Sequence, residues 1–358
     1  MAIGLSHGGS TIYSSPSPSQ EVLVGTREGV VTIERETPGS QWRVKHRALT
    51  DKHISAILKE PESGSTFAGA FHGSVHVSAD DGKTWEPRGN GLSQTNVYSL
   101  ASARINGRAR LFAGTEPAHL FASDDLGLNW SEVPSLRSVP SVPKWNFPAP
   151  PHIGHVKHMN FAPGNPVTMY VSIEVGGLLK SQDGGAHWEE FPSLYEDVHR
   201  LMIHPSRPEF LYAVTGRGLY VSPDAGASWE QWTRREDEIG GYPDGFVFRP
   251  TEPKLIFMTA AHDAPGTWRT THFAGARISR STDGGRSWEI LRSGLPDRMQ
   301  ASIEALCLEE AGESSSVFAA TTSGEVFCSE DLGEHWTKII SGLAPISKAG
   351  HYRNLVAA

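Results

Sequence analysis

The sequence predicts an all-β chain of seven four-stranded antiparallel sheets set radially around one axis. Three observations carry that expectation. An octapeptide, Ser-x-Asp-x-Gly-x-x-Trp, occurs six times, beginning at Ser78, Ser123, Ser181, Ser222, Ser281 and Ser329. A seventh, degraded copy ends at Trp42, and the resulting tryptophans (Trp42, Trp85, Trp130, Trp188, Trp229, Trp288 and Trp336) are 41 to 59 residues apart. Between them, short β-rich runs alternate with Gly, Pro, Asp and Asn turns. A repeat of this length with several short strands per unit is the signature of a seven-bladed β-propeller, in which radial repetition protects most strand edges.

Each element of the unit has a local reason. Residues 199–209 (HRLMIHPSRPE) form an apolar run that breaks at Pro, 211–216 (LYAVTG) a second strand, and 218–222 (GLYVS) a third. The octapeptide then makes the hairpin to a short fourth strand. Its Asp accepts backbone N–H bonds, its Gly takes a positive φ, its Ser adds a second local bond, and its Trp folds back as an apolar plug. Turn bonding accounts for these Asp residues without a catalytic role.

Residues 12–29 align without a gap on 201–218, Pro16 on Pro205 and Thr26 on Thr215. Blade one is therefore expected to begin at the N-terminus, with 12–15 as its first strand. The expected blades are roughly 8–48, 49–92, 93–140, 152–192, 195–238, 241–295 and 300–342, all within a single domain spanning 1–358. A tail, 344–358, is left to pair with blade one or to cap a face.

The octapeptide resembles the Asp-box, or BNR repeat, found in sialidases, sortilin-type receptors, xyloglucan-degrading glycosidases and photosystem II assembly factors. The resemblance spans nearly the whole chain and implies the propeller fold. It implies no single chemistry, since these families share the box and not the reaction. The Phe/Tyr-Arg-Ile-Pro segment that sialidases carry before the first box is absent, so the chain is not read as a typical sialidase.

A formal charge of −8 and the lack of a basic run argue against nucleic acid as a partner. No segment approaches the roughly 18 apolar residues of a spanning helix, and the first ten residues lack the pattern of a secretory signal. A cytoplasmic setting without membrane contact is the expectation. Cys307 and Cys328 fall on the first and third strands of one blade, two strand spacings apart. That is beyond disulfide reach, so two free thiols are expected.

In such a blade, the start of the first strand and the end of the second share the face opposite the boxes. Aligned on the apolar positions, blades two to seven place His53, Asn96, His155, Asp197, Tyr242 and Ser302 at the start of the first strand. Two residues on stand Ser55, Tyr98, Lys157, His199, Asp244 and Glu304. Second-strand ends, blade one onward, give Arg27, His72, Glu116, Glu174, Gly216 followed by Arg217, His262 and Thr322. Most of these positions are ionisable and they vary around the ring, whereas the positions between them are largely apolar. Three insertions, 131–154 with Trp145, 230–241 with Trp232, and 263–275 with Trp268, are expected on the same face. His152, His155 and His158 are spaced by three, so at most two can share a ligand.

The functional expectation is a hydrolase or lyase acting on a small or short oligomeric, oxygen-rich or anionic ligand at the channel mouth. His72, Glu116, Glu174, His199 and Asp244 are the expected acid–base groups. Arg27, Arg217, Trp145, Trp268 and Tyr242 are the expected substrate contacts. A divalent or iron-type metal, where one binds, is expected on His53, His155 and His262. No phosphate loop, nucleophile elbow or CxxC pair is present, so no nucleotide or organic cofactor is expected. The alternative is a non-catalytic interaction or assembly scaffold.

Overall fold

Seven sheets, six of four strands and one of five, form a closed ring in the computed structural model, which describes residues 2–347 together with 350, 353 and 355. Seven apolar clusters hold the ring together, one between each pair of neighbouring blades. That between blades six and seven, for example, joins Val247 and Phe257 to Phe327 and Trp336. Alternating strand residues bury one set of side chains against the preceding blade and the other against the next.

The boxes form as their composition dictates. In the copy at Ser78, the Ser78 hydroxyl donates to Asp80 Oδ1 at 2.8 Å and accepts from the Gly82 N–H at 2.8 Å. Asp80 also accepts from the Thr84 N–H at 2.9 Å. The same Ser–Asp–Gly bonds recur in the other five copies. The residue before the box Gly is also left-handed, as at Asp81, Leu126, Ala225 and Leu332. Two copies place a second glycine there, Gly184 and Gly284, and so relieve that strain.

The plug expectation needs correction. Trp42, Trp130 and Trp336 are buried at 6%, 4% and 1% exposure, but Trp85, Trp188, Trp229 and Trp288 are only half-buried. The latter four pack against the inter-blade clusters with part of the ring left accessible.

The N-terminus also departs from the alignment. Four strands form blade one: β1 (Ile3–Leu5), β3 (Glu21–Thr26), β4 (Gly29–Glu34) and β5 (Arg43–Ala48). The innermost, β1, runs parallel to β3. The segment expected as first strand, β2 (Ile12–Ser15), instead pairs in parallel with the innermost strand of blade seven, Ile303–Ala311. This N-to-C pairing closes the ring. The reason is visible between the two strands. His7, Gly8 and Gly9 cross the axis, with Gly8 donating to the Ser55 carbonyl and accepting from the Leu100 N–H, and Arg200 donating to the His7 carbonyl. A Cβ on Gly8 would lie 2.3 Å from the Tyr98 carbonyl oxygen, and one on Gly9 1.8 Å from that of Ile57. Only glycine can pass there.

The tail from Leu343 to Ser347 crosses the face opposite the boxes. Pro345 accepts from the Arg27 N–H, and Ser347 bonds Glu304 and His53. The remainder of the expected tail lies largely outside the described residues. Cys307 and Cys328 are buried and unpaired, in register on either side of Phe318. No helix among the described residues is long and apolar enough to cross a membrane.

Candidate functional site at the channel mouth

The innermost strands of blades two to seven share an irregularity that positions the site. In each, the pairing register slips by one residue at the start of the strand. The residue left over is Ser55, Tyr98, Lys157, His199, Asp244 or Glu304. A bulge of this kind re-aims its extra side chain, here toward the axis. All six are buried, 5% exposed or less. They form a buried polar ring above the glycine crossing of the N-terminal segment.

The ring is wired to the second-strand ends. The His155 Nε2–H donates to Glu174 Oε2 at 2.7 Å, and its Nδ1 lies 3.4 Å from Glu116 Oε2. Lys157 Nζ lies 3.1 Å from Glu174 Oε1 and 3.5 Å from Asp244 Oδ1, which is in turn 3.6 Å from His7 Nε2. His199 Nδ1–H donates to the Pro243 carbonyl at 2.6 Å, and its Nε2 lies 3.2 Å from Asp197 Oδ1. Tyr98 stacks on the His155 ring at 3.8 Å, with Phe147 5.1 Å away on another side.

These surroundings tune the groups. Burial pushes the His155 imidazole down, but its contacts with Glu116 and Glu174 outweigh that and raise it above the ordinary range. Burial, reinforced by Glu174 and Glu116 for Tyr98 and by Asp197 and Glu174 for Tyr242, pushes both phenols up. Burial and the neighbouring Arg200 hold His158 well below its usual range.

A cavity of about 850 Å³ opens over blades two to four. Glu116 and His155 lie at its floor, Tyr98, Phe71 and Phe147 on its walls, and Arg27, Lys52, His53, His72 and Arg269 around its rim. Of the expected site residues, the structure thus brings Arg27, His53, His72, Glu116 and His155 together. Glu174, His199 and Asp244 lie behind this floor in the buried ring, and Tyr242 packs on His199 at 4.6 Å. The others lie elsewhere. Trp268 is buried at 1% exposure on the inner side of the helix α1 (Pro265–Thr271), so it supports that insertion and offers no exposed wall. Trp145 is half-buried beside Arg137, and Arg217 stacks over Tyr195 at 4.2 Å. His262 is exposed beside Asp263.

The histidines expected as metal ligands do not converge. His53 is committed to the Ser347 carbonyl, and His262 lines no part of the cavity. Among the described residues, the three side chains whose ligating atoms approach within 4.8 Å of one another are Glu174, Asp197 and His199. His152, His155 and His158 point to three different surroundings, as their spacing requires.

Sequence reasoning missed Lys52 and the His7–Gly9 crossing, whereas Phe147 belongs to the 131–154 insertion expected on this face. The Gly8–Gly9 pair just ahead of a strand was the available signal. Lys52 precedes the aligned column by one residue and carried none.

No family model matches this chain. Over 248 residues it is 25% identical to the xyloglucanase Xgh74A of Acetivibrio thermocellus, covering 61% of this chain and 28% of the enzyme. Over 135 residues it is 24% identical to vacuolar protein sorting/targeting protein 10 of Fusarium vanettenii, covering 37% of this chain and 9% of that protein. The chain therefore spans well under a third of either relative. Among solved structures, an ancestral GH74 enzyme superposes with a TM-score of 0.62 at 16% identity, over 80% of this chain and 38% of that one. YCF48 from Cyanidioschyzon merolae superposes with a TM-score of 0.57 at 14% identity, over 87% and 93% of the two chains.

Proposed function

The chain is an Asp-box β-propeller of seven blades, and we propose that it is a hydrolase or lyase acting on a small oxygen-rich or anionic substrate held in the cavity over blades two to four. The observation that carries this reading is the Glu116–His155 pair, backed by Glu174, at the floor of a cavity whose rim carries Arg27, Lys52 and Arg269 alongside Asp51. Glu174 accepts from His155 Nε2–H and so fixes the imidazole, as a carboxylate orients a catalytic histidine elsewhere. His155 in turn holds the Glu116 carboxylate at the cavity floor. Glu116 is the group that takes a proton from water or from a substrate carbon or hydroxyl, and returns it to the leaving oxygen. Arg27, Lys52 and Arg269 supply the attraction for an anionic group, and Phe71 and Phe147 the apolar face that a sugar ring packs against. The unpaired thiols of Cys307 and Cys328 support a reducing, cytoplasmic setting.

A panel of 4-nitrophenyl glycosides and esters carrying carboxylate groups, together with uronate oligomers assayed for unsaturated products, tests this. Glu116→Gln should lower kcat at least about 100-fold, the usual scale of a general acid–base contribution, with KM little changed. Arg27→Ala should instead raise KM. Turnover that survives Glu116→Gln at full kcat would remove Glu116 from the reaction.

A second reading rests on length. The chain covers 93% of YCF48 but 38% of the ancestral GH74 enzyme, and a related YCF48 structure is a complex with the D1 peptide. On that reading the cavity, with Pro117, Pro150 and Pro151 at its edge, receives a peptide of a partner being assembled. Saturable binding of a peptide, with no turnover across the panel, would favour it.

A further inference from the structure

We propose that Glu174, Asp197 and His199 form a binding site for a divalent transition-metal ion, adjoining the cavity and sharing the Glu174 carboxylate with its Glu116–His155 floor.

The argument starts from one imidazole. His199 is fully buried, and its Nδ1 faces the Pro243 carbonyl oxygen at 2.6 Å. A carbonyl can only accept, so Nδ1 carries the proton and a neutral ring keeps its lone pair on Nε2. That nitrogen faces two carboxylate oxygens, Asp197 Oδ1 at 3.2 Å and Glu174 Oε1 at 3.9 Å. Nε2 and Asp197 Oδ1 each make no hydrogen bond although both are buried. Two of the three converging atoms, His199 Nε2 and Asp197 Oδ1, are thus buried without a hydrogen bond, and a cation held between them and Glu174 Oε1 satisfies both. The spacing suits one. Ligand bonds of about 2.0–2.2 Å put neighbouring ligand atoms roughly 3–4 Å apart, as Asp197 and Glu174 stand from His199.

The neighbours complete the case. Glu174 Oε2 is held by His155, so Glu174 offers Oε1 alone and binds through one oxygen. Lys157 Nζ, 3.1 Å from that oxygen, shares it. The Pro243 carbonyl fixes the tautomer and ring orientation of His199, as outer partners of metal-bound histidines do. One imidazole and two carboxylates suit Zn²⁺, Mn²⁺ or Fe²⁺, with further positions left for water. The side chain of Asp197 is 14% exposed, so the site has an approach from the open face.

Elemental analysis of the purified protein, and equilibrium dialysis of the chelator-stripped protein against Zn²⁺, read the site directly. Co²⁺ in place of Zn²⁺ reports ligand number through its visible absorption. The expected result is one ion per chain, with Asp197→Asn and His199→Ala each weakening Zn²⁺ affinity at least about tenfold, the smallest loss typical even of outer partners. His262→Ala should leave it unchanged. Should His199→Ala fail to fold by circular dichroism, the near-isosteric Asp197→Asn decides alone. Wild-type protein that takes up no stoichiometric ion, or uptake indifferent to Asp197→Asn, overturns the site. Metal uptake and turnover of the substrate panel are separate readings, so an ion bound without turnover would overturn only the hydrolase proposal.

Discussion

Truncating Trp336 and Trp188 separately tests what the box tryptophans contribute. Trp336 is 1% exposed within the blade six–seven cluster, against Phe257, Leu291 and Phe327. A buried Trp removes about 200 Å² from water, which at about 25 cal/mol per Å² is about 5 kcal/mol before the alanine's own share is subtracted. Measured losses for buried Trp and Phe truncations are about 3–5 kcal/mol, and Trp336→Ala belongs at about 4. Trp188 is half-buried and donates to the Ser135 hydroxyl at 3.1 Å. Half the area gives about 2 kcal/mol, and the modest net worth of one hydrogen bond adds about 0.5–1. Urea unfolding followed by tryptophan fluorescence, at unchanged slope, should therefore place the midpoint of Trp336→Ala clearly below that of Trp188→Ala. Equal midpoints, or the reverse order, would refute the view that inter-blade burial sets the contribution of each box.

Gly9→Ala should destabilise by about 2–3 kcal/mol or prevent folding, since its Cβ would meet the Ile57 carbonyl oxygen at 1.8 Å; a melting temperature equal to wild type would contradict the axial crossing. Hydrogen bonds from Ser287 hold Asp283 down to about 2, and like bonds hold the other five box carboxylates below their usual range. Groups depressed on folding contribute stability above their unfolded value of about 4 and lose it as pH falls through the folded value. Thermal melts should thus decline between about pH 4 and pH 2, and Asp283→Asn should flatten that decline. Cys307 and Cys328, buried with thiols pushed up by burial, should resist a thiol reagent in the native protein and yield two reactive groups in urea.

The repeat was legible because a local problem recurs. Each third-to-fourth-strand hairpin needs the same Asp, Gly and Ser bonds, so the octapeptide is rewritten six times and counts the blades. The ionisable columns were legible for the opposite reason, by failing to repeat. What strand alternation could not show is the bulge. It turns Lys157, His199, Asp244 and Glu304 inward into a buried ring, because a slip of one residue moves a side chain to a new direction. The placement of β2 was misread because its match to 201–218 is a match of strand propensity and turn chemistry. Partner choice depends on the Gly8–Gly9 crossing, which lies before the aligned segment. Trp268 was misread because an aromatic residue on a loop signals a binding wall and a loop's own small core equally well.

The ring's lack of repetition has a physical cause that also bears on function. The box hairpins lie far apart on the circumference, so identical charges there barely interact. The bulged residues meet at the axis, where six copies of one charged side chain would repel and could not be desolvated. The chain instead mixes Lys157 with Glu174 and Asp244, neutral phenols with carboxylates, and His155 with two acids. The N-terminal segment finishes the arrangement. Arg200 holds the His7 carbonyl, Asp244 faces the His7 ring, and the two glycines lie against blades two and three. The axis is thereby closed beneath the ring, and the channel becomes a recess open on one face. On the proposed reading, a ligand entering there meets Glu116 and His155 at the floor, backed by oriented buried charges and by the His7–Gly9 strap, a setting in which fixed dipoles act strongly on a reacting group.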